Sequence, residues 1–442
     1  MVAMYKRKNY GFYSLVVFLI ILMVAPTAFA SPKIKIGVIG PMKFVAGQNH
    51  WWGALLAAEE INAAGGVMVG REKHEIELLK TDSNEMQNLT DAVSSMERII
   101  KVDKVHFITG GFRTEAVLAM QDVAADHKRI FLGGSGSPGV TERLAKNYDR
   151  YKYFFRALSP VAVYFTQVNL FLLEMAGDKM KAELGITKPR VALVLDKIVV
   201  ADPIVTFAQD MLPKMGMEIA GVWRTSPMAN DLTSELTAIK AADAHLILTF
   251  LSGPSGAIFN KQWGELRIPA APVGYNAEAN ALAHLQATGG MCDYVSIWGT
   301  FGGVKITDKT VPFFNKFIAR AGEYPLSNAA TYDAVYLLKE AIQRSKTLEV
   351  EAVIRELEKI EYRGASGIMA FYPRDHKWPH DLKTGPGYTT MLGLQWRDGK
   401  LVTVWPDGRA ALGDKEWVGI KYEGTVDYNL PPWMITYWKK KK

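Results

Sequence analysis

Short β-branched runs alternate along this chain with stretches of helical spacing, and that alternation predicts the fold. Ile34, Ile36, Val38 and Ile39 form the first run, closed by Gly40-Pro41 as a buried strand ending in a turn would be. Over 48–64, Leu55, Leu56, Ala58 and Ile61 share one helical face, and Gly65-Gly66 stops the helix where a positive φ is wanted. Strand, loop and helix make one βα unit. Such units stack into a parallel sheet whose loops gather at the strands' carboxyl ends, where ligands bind.

The unit recurs. A strand over 75–81 is followed by a helix spaced through Leu89, Val93, Met96 and Ile100. A strand over 105–109 ends in Gly110-Gly111, and Thr114 is expected to N-cap a helix running to about Asp126. A strand over 130–132 runs into Gly133-Gly134-Ser135-Gly136-Ser137-Pro138. Four strands alternating with helices predict an α/β lobe with a parallel sheet. From Tyr153 the rhythm restarts: a helix over 161–176, a strand over 191–195 ending at Asp196, and a helix from Asp202 to Met215. Strands over 218–223, 245–250 and 272–275, with helices over 231–242 and 253–266, predict a second lobe of the same class. A strand over 294–298, helices over 312–320, 328–346 and 350–360, and a β-like region over 369–405 complete the pattern. Two similar lobes imply a cleft between them.

The first 30 residues stand outside this pattern. Lys6, Arg7 and Lys8 head an apolar run over 15–24, and Ala28-Phe29-Ala30 has the small residues of a cleavage site, so 1–30 reads as a signal peptide. The apolar run is shorter than the roughly 20 residues of a membrane span, and an uncleaved anchor is the alternative. Of the net charge of +7 on 442 residues, three belong to that leader, leaving +4 on residues 31–442, a length enough for two or three domains. Lys439 to Lys442 form a basic tail, but no basic stripe with interleaved aromatics points to nucleic acid. Cys292 is the single cysteine, so there is no intrachain disulfide, and it reads as a small buried hydrophobe.

Several stretches carry a resemblance. Gly37-Val38-Ile39-Gly40-Pro41, the run GALLAAEEINAAGG over 53–66, the strand over 105–111, GSGSPGVT over 134–141, Phe155-Arg156, and LQWRDGKLVTVWP over 394–406 together resemble the branched-chain amino acid-binding family of periplasmic solute-binding proteins. The resemblance implies an α/β, two-lobed type I periplasmic-binding-protein fold, each lobe a parallel sheet flanked by helices, joined by a multi-strand hinge of three crossovers. It implies a monomer in the periplasm that closes on a small ligand and delivers it to an ABC transporter permease. Lobe one would comprise 33–153 plus 279–361 and lobe two 154–278 plus 362–406, with 407–442 a C-terminal extension. By the same resemblance Thr114, Ser135 and Gly136 hold an amino acid's carboxylate.

The residues' own chemistry fits a polar or anionic ligand. Thr114 offers a hydroxyl where a helix's partial positive charge favours an anion. Gly133, Gly134 and Gly136 let main chain approach closely, Ser135 and Ser137 add hydroxyls, and Gly111 joins the candidate set. Capping and turn making would use the same residues. The second lobe departs from the family. Asp196-Lys197-Ile198-Val199-Val200-Ala201-Asp202 lacks the tyrosine of the family's aspartate-x-x-tyrosine-glycine pattern, and the loop of its ammonium-binding carboxylate corresponds to Gly274-Tyr275-Asn276-Ala277-Glu278. Glu278 or Asp202 are the candidates for that carboxylate, with Asn276 beside them. An unpaired ammonium in a closed cleft is costly, so an amide or aromatic acid is an alternative ligand, and leucine, isoleucine and valine are not expected to bind best. Tyr275, Trp298, Phe250 and Trp51-Trp52 are candidate walls, or core.

Competing motifs fail in context. Pro138 interrupts the formal G-x-G-x-x-G of 134–139, which follows the fourth strand rather than the first, so no dinucleotide cofactor is expected. His376 and His380 with Asp375 and Asp381 surround Pro379 in a loop, a poor metal set. No G-x-S-x-G, Walker or HExxH pattern occurs, and no enzyme is expected. A sensing receptor of the same fold and a secreted hydrolase are the remaining alternatives.

Overall fold

The computed structural model describes Met1 and residues 32–197 and 201–441; the expected signal segment, apart from Met1, lies outside the described residues. The chain opens with β1 (Lys33–Gly40), α1 (Val45–Ala63), a hairpin of β2 (Val67–Val69) and β3 (Glu72–Asp82), and α2 (Leu89–Lys101). Then come β4 (Phe107–Gly110), α3 (Thr114–Asp126), β5 (Ile130–Gly133), α4 (Gly139–Lys146) and β6 (Phe154–Arg156). These strands form one sheet in the order β2-β3-β1-β4-β5-β6, parallel except for the β2–β3 hairpin. β1 lies inside the sheet with helices on both faces, which is why 36–40 is a continuous apolar run, after the alternating Lys33-Ile34-Lys35-Ile36 at its exposed start.

The second body repeats the design. It comprises α5 (Ala162–Leu184), β7 (Arg190–Asp196), α6 (Ala201–Lys214), β8 (Glu218–Thr225), α7 (Thr233–Ala241), β9 (Leu246–Leu251), α8 (Ser255–Glu265), β10 (Ala271–Asn276) and β11 (Ser296–Gly299). α9 (Thr310–Ala321), α10 (Thr331–Ser345), α11 (Val350–Leu357) and the pair β12 (Tyr362–Arg363) and β13 (Ile368–Met369) then return to the first body, where Phe313, Leu337, Val353 and Met369 share a core with Ile34 and Val38. β14 (Leu392–Arg397) and β15 (Lys400–Trp405) close the second sheet, ordered β15-β14-β11-β10-β9-β7-β8. Its inner strands are parallel, while β14 and β15 are antiparallel additions at one edge.

Four strands fall on the other side of the expected lobe boundaries: β6 and β11, and the pair β12 and β13, expected in the second lobe but packed into the core of the first body. β6, assigned from sequence to the second lobe, pairs in parallel with β5, and β11, assigned to the first, lies between β10 and β14. The reason is that a strand joins whichever open sheet edge is adjacent; the chain passes between bodies just after β6 and β11, over 157–161 and 300–309, and a third time before β14. The C-terminal extension packs on the second body. Trp417, Tyr428, Leu430, Met434 and Trp438 are buried with Leu193 and Phe171, and the indoles of Trp433 and Trp438 donate to the carbonyls of Ile268 (3.0 Å) and Pro269 (2.7 Å). It ends in α12 (Pro432–Lys441). Among the described residues no helix is long and apolar enough to cross a membrane.

Candidate functional site

In each sheet the strand order reverses beside the first strand, between β1 and β4 and again between β7 and β9, and the crevice beyond the carboxyl ends at such a point is where open α/β sheets bind ligands. On the first body this edge holds Gly110 and Gly111, with φ of 124° and 77°. A Cβ on Gly110 would lie 1.8 Å from the carbonyl oxygen of Ile39, so only glycine lets β4 turn this close to β1. Thr114 is the first residue of α3, not its N-cap as expected; Arg113 takes the cap position with extended backbone. The shift frees the Thr114 hydroxyl from capping, and it lies 3.0 Å from the hydroxyl of Ser135.

Ser135 is buried and holds a φ of 84°, a left-handed conformation uncommon for a residue with a side chain. Gly136 follows it, half-buried, on the same loop. The entry to α3 also contains an acid that sequence reasoning passed over. Glu85 is buried, and its carboxylate accepts the N–H groups of Phe112 (3.3 Å) and Arg113 (2.8 Å) and the hydroxyl of Ser83 (2.9 Å). Burial pushes its carboxyl up while those donors pull it down. The donors just ahead of α3 therefore already have an anion of the protein's own.

On the second body Tyr275 and Asn276 end β10, and Trp298 lies in β11. The register brings Phe250, Tyr275 and Trp298 into one row across β9, β10 and β11, with ring centroids 5.0 Å and 5.3 Å apart and the last pair stacked at 20°. Burial, with Glu278 and Asp196 nearby, pushes the Tyr275 phenol up to about 12, so it stays a neutral donor. Trp298 is the buried end of this row, part of the core, while Phe250 and Tyr275 are partly exposed. Trp51 and Trp52 stand apart from the row, under Lys80 and Arg320 at 5.3 Å and 5.4 Å.

The polar candidates separate into engaged and free groups. The Asn276 amide donates to the carbonyl of Gly256 (3.0 Å) and accepts from the N–H of Ala279 (3.4 Å), fastening the end of β10 to α8. Asp202 is exposed at the start of α6 and is ion-paired with Arg224, a partner no sequence spacing announces. Asp196 is buried and accepts from the Ser252 N–H (2.6 Å) and hydroxyl (2.9 Å), with Thr225 and Ser255 at 3.4 Å, the counterpart of Glu85 in the first body. Glu278 differs from both. It is half-buried, its carboxylate has no hydrogen-bond or ion-pair partner among the described residues, and it is pushed up by burial and then by the charge of Glu323. The structure thus brings Thr114 and Ser135 together, brings Tyr275 and Trp298 together, and leaves one unengaged carboxylate beside the latter pair.

The profile of the periplasmic binding protein family matches residues 33–385. This chain belongs to that family. Among periplasmic binding proteins, the Leu/Ile/Val-binding protein homolog 7 of Brucella melitensis is 25% identical over 402 residues, covering 88% of this chain and 95% of the relative. An amino acid binding protein of Pseudomonas aeruginosa is 33% identical over 118 residues, 26% of this chain and 30% of that protein. Two solved structures share the fold. The branched-chain amino acid transporter substrate binding protein of Streptococcus pneumoniae in complex with isoleucine superposes with a TM-score of 0.64 at 19% identity, covering 85% of this chain and 99% of that one. The solute binding protein of an ABC transporter from R. palustris in complex with benzoate gives 0.63 at 16%, covering 84% and 95%. The two-lobed type I periplasmic-binding-protein architecture expected from sequence is the one observed. Proteins of this family and fold are solute-binding proteins that act outside the cytoplasm.

Proposed function

We propose that this periplasmic binding protein captures a small carboxylate-bearing solute between its two bodies and presents it to an ABC permease, without chemical turnover. The solute's carboxylate is received by the hydroxyls of Thr114 and Ser135 and the glycine-rich main chain around Gly111 and Gly136; its body lies against Tyr275 and the ring row, and a cationic end, where present, meets Glu278. The observation that carries this reading is the Thr114–Ser135 hydroxyl pair, 3.0 Å apart, at the carboxyl edge of a sheet beside its switch point. Supporting it, one relative is named for leucine, isoleucine and valine, and two structural neighbours hold isoleucine and benzoate, all of them carboxylates. Binding draws the bodies together about the three crossovers, and the closed form is what the permease recognises. Residues 1–30 direct export, and the receptor works as a monomer.

A thermal-shift screen of amino acids, amides and aromatic acids tests the reading. A carboxylate is expected to raise the midpoint, with leucine, isoleucine and valine not the strongest, and Thr114→Ala and Ser135→Ala are expected to abolish that rise. A hit whose affinity survives both substitutions in calorimetry removes the hydroxyl pair from the site.

A further inference from the structure

Arg156, the last residue of β6, is fully buried, and a buried guanidinium is costly unless its donors are met. Here the two Nη groups are met by hydrogen bonds, while Nε meets its acid by charge alone, without a hydrogen bond. Nη1 donates to the carbonyl of Ser135 at 2.5 Å, and Nη2 to the carbonyl of Ser137 at 2.8 Å and the hydroxyl of Thr141 at 3.0 Å. Nε faces the carboxylate of Asp381 at 3.0 Å, itself fully buried, whose other oxygen lies 3.3 Å from the Thr141 hydroxyl. The main chain follows the same path. The Arg156 N–H donates to the carbonyl of His380 at 2.9 Å, so Asp381 makes a single parallel bridge to the end of β6 before the chain leaves for β14.

We propose that Arg156 is the positioning residue of the ligand loop, holding Ser135 in its left-handed conformation through two main-chain carbonyls and tying that loop to Asp381 at the foot of the third crossover. The positive φ of Ser135 persists only if its surroundings over-determine it, and the guanidinium fork grips the main chain on both sides of Gly136. Two consequences follow. The Thr114–Ser135 hydroxyl spacing depends on a residue that contacts no solute, and displacement of the crossover during closure reaches the loop through one ion pair. The functional meaning rests on the ligand-site reading above, whereas the coupling itself is measured without ligand.

Hydrogen–deuterium exchange of the full, ligand-free protein is the test, comparing the parent with Arg156→Lys and Asp381→Asn. Lysine keeps the charge but cannot serve two carbonyls and a carboxylate at once. In Arg156→Lys, exchange over 134–139 is expected to rise about tenfold or more, together with 380–384, while β1 and β7 keep parent rates. Asp381→Asn is expected to loosen the same two segments to a smaller extent. A uniform rise across the first sheet in both variants makes Arg156 only a core residue, and unchanged exchange at 134–139 in Arg156→Lys overturns the proposal. If the loop responds as expected but the carboxylate screen fails, the coupling stands and the ligand reading falls.

Discussion

Ser135 concentrates strain and chemistry at one residue. A non-glycine residue at a φ of 84° costs of order 1 kcal/mol, and a site retains such strain when the side chain has work to do. Ser135→Gly is therefore expected to raise unfolding stability by up to about 1 kcal/mol in urea titrations while weakening solute binding by about tenfold or more, the loss of one hydrogen bond to a charged group. A stability gain with affinity retained would mean that the hydroxyl does not touch the solute. Glu278 sorts the solutes in the complementary way. Glu278→Gln keeps shape and removes charge, so it should weaken an ammonium-bearing solute by about tenfold or more and leave an aromatic acid without an amine unaffected, as calorimetry would read. Because burial and then Glu323 raise the Glu278 carboxyl, affinity for a cationic solute should increase as pH climbs through and above the usual carboxylate range. Of these residues the sequence offered Thr114 as a candidate from a helix start, Ser135 from a glycine-rich loop after a strand, and Glu278 from the family resemblance. It gave no hint that Asp202 pairs with Arg224 or that Glu85 and Asp196 are fastened by neighbouring loops, because those partners lie far away in the chain.

At the scale of elements, the strands were the most legible feature and the last 36 residues the least. β1, β4, β5, β7, β9 and β10 lie within a few residues of the apolar runs that predicted them, since a strand buried on both faces must be apolar throughout. The 407–442 stretch has aromatics but no periodicity, because it follows the surface of the second body instead of forming a layer. Its contribution is nonetheless large. Trp417, Tyr428, Leu430, Met434 and Trp438 are all buried, each stabilising by about 1.5–3 kcal/mol, which together rivals the whole stability of an ordinary domain. A chain ending at Pro406 is expected to lose cooperative unfolding of the second body while the first retains its transition, as two-probe urea denaturation would show; a truncated chain with the parent's midpoint would assign the extension a dispensable role.

The whole molecule carries a pH dependence of stability from buried histidines. Burial lowers His50, His245 and His284 to about 4, against 6.5 for a free imidazole. Each is neutral in the fold and takes a proton in the unfolded chain below 6.5, so its stabilisation is complete above that pH and drains away as pH falls toward 4. His284, whose imidazole meets the Asn260 amide at 2.9 Å, isolates the effect: its share is about 3 kcal/mol by linkage. His284→Asn should flatten the loss of thermal midpoint between pH 6.5 and 4 relative to the parent, and parallel curves for the two proteins would show that this histidine does not titrate on unfolding.

The order of strands and helices, the doubling of one α/β design and the glycine-rich loops at strand ends were fixed by periodicity and backbone conformation, which depend only on neighbours in the chain. Tertiary structure decided where β6 and β11 pair, which carboxylates are engaged, and how Arg156 joins the Ser135 loop to Asp381. Each of those depends on which groups meet after distant segments have packed: an open sheet edge takes the strand beside it, and a buried charge takes the donor or acceptor that the fold brings to it.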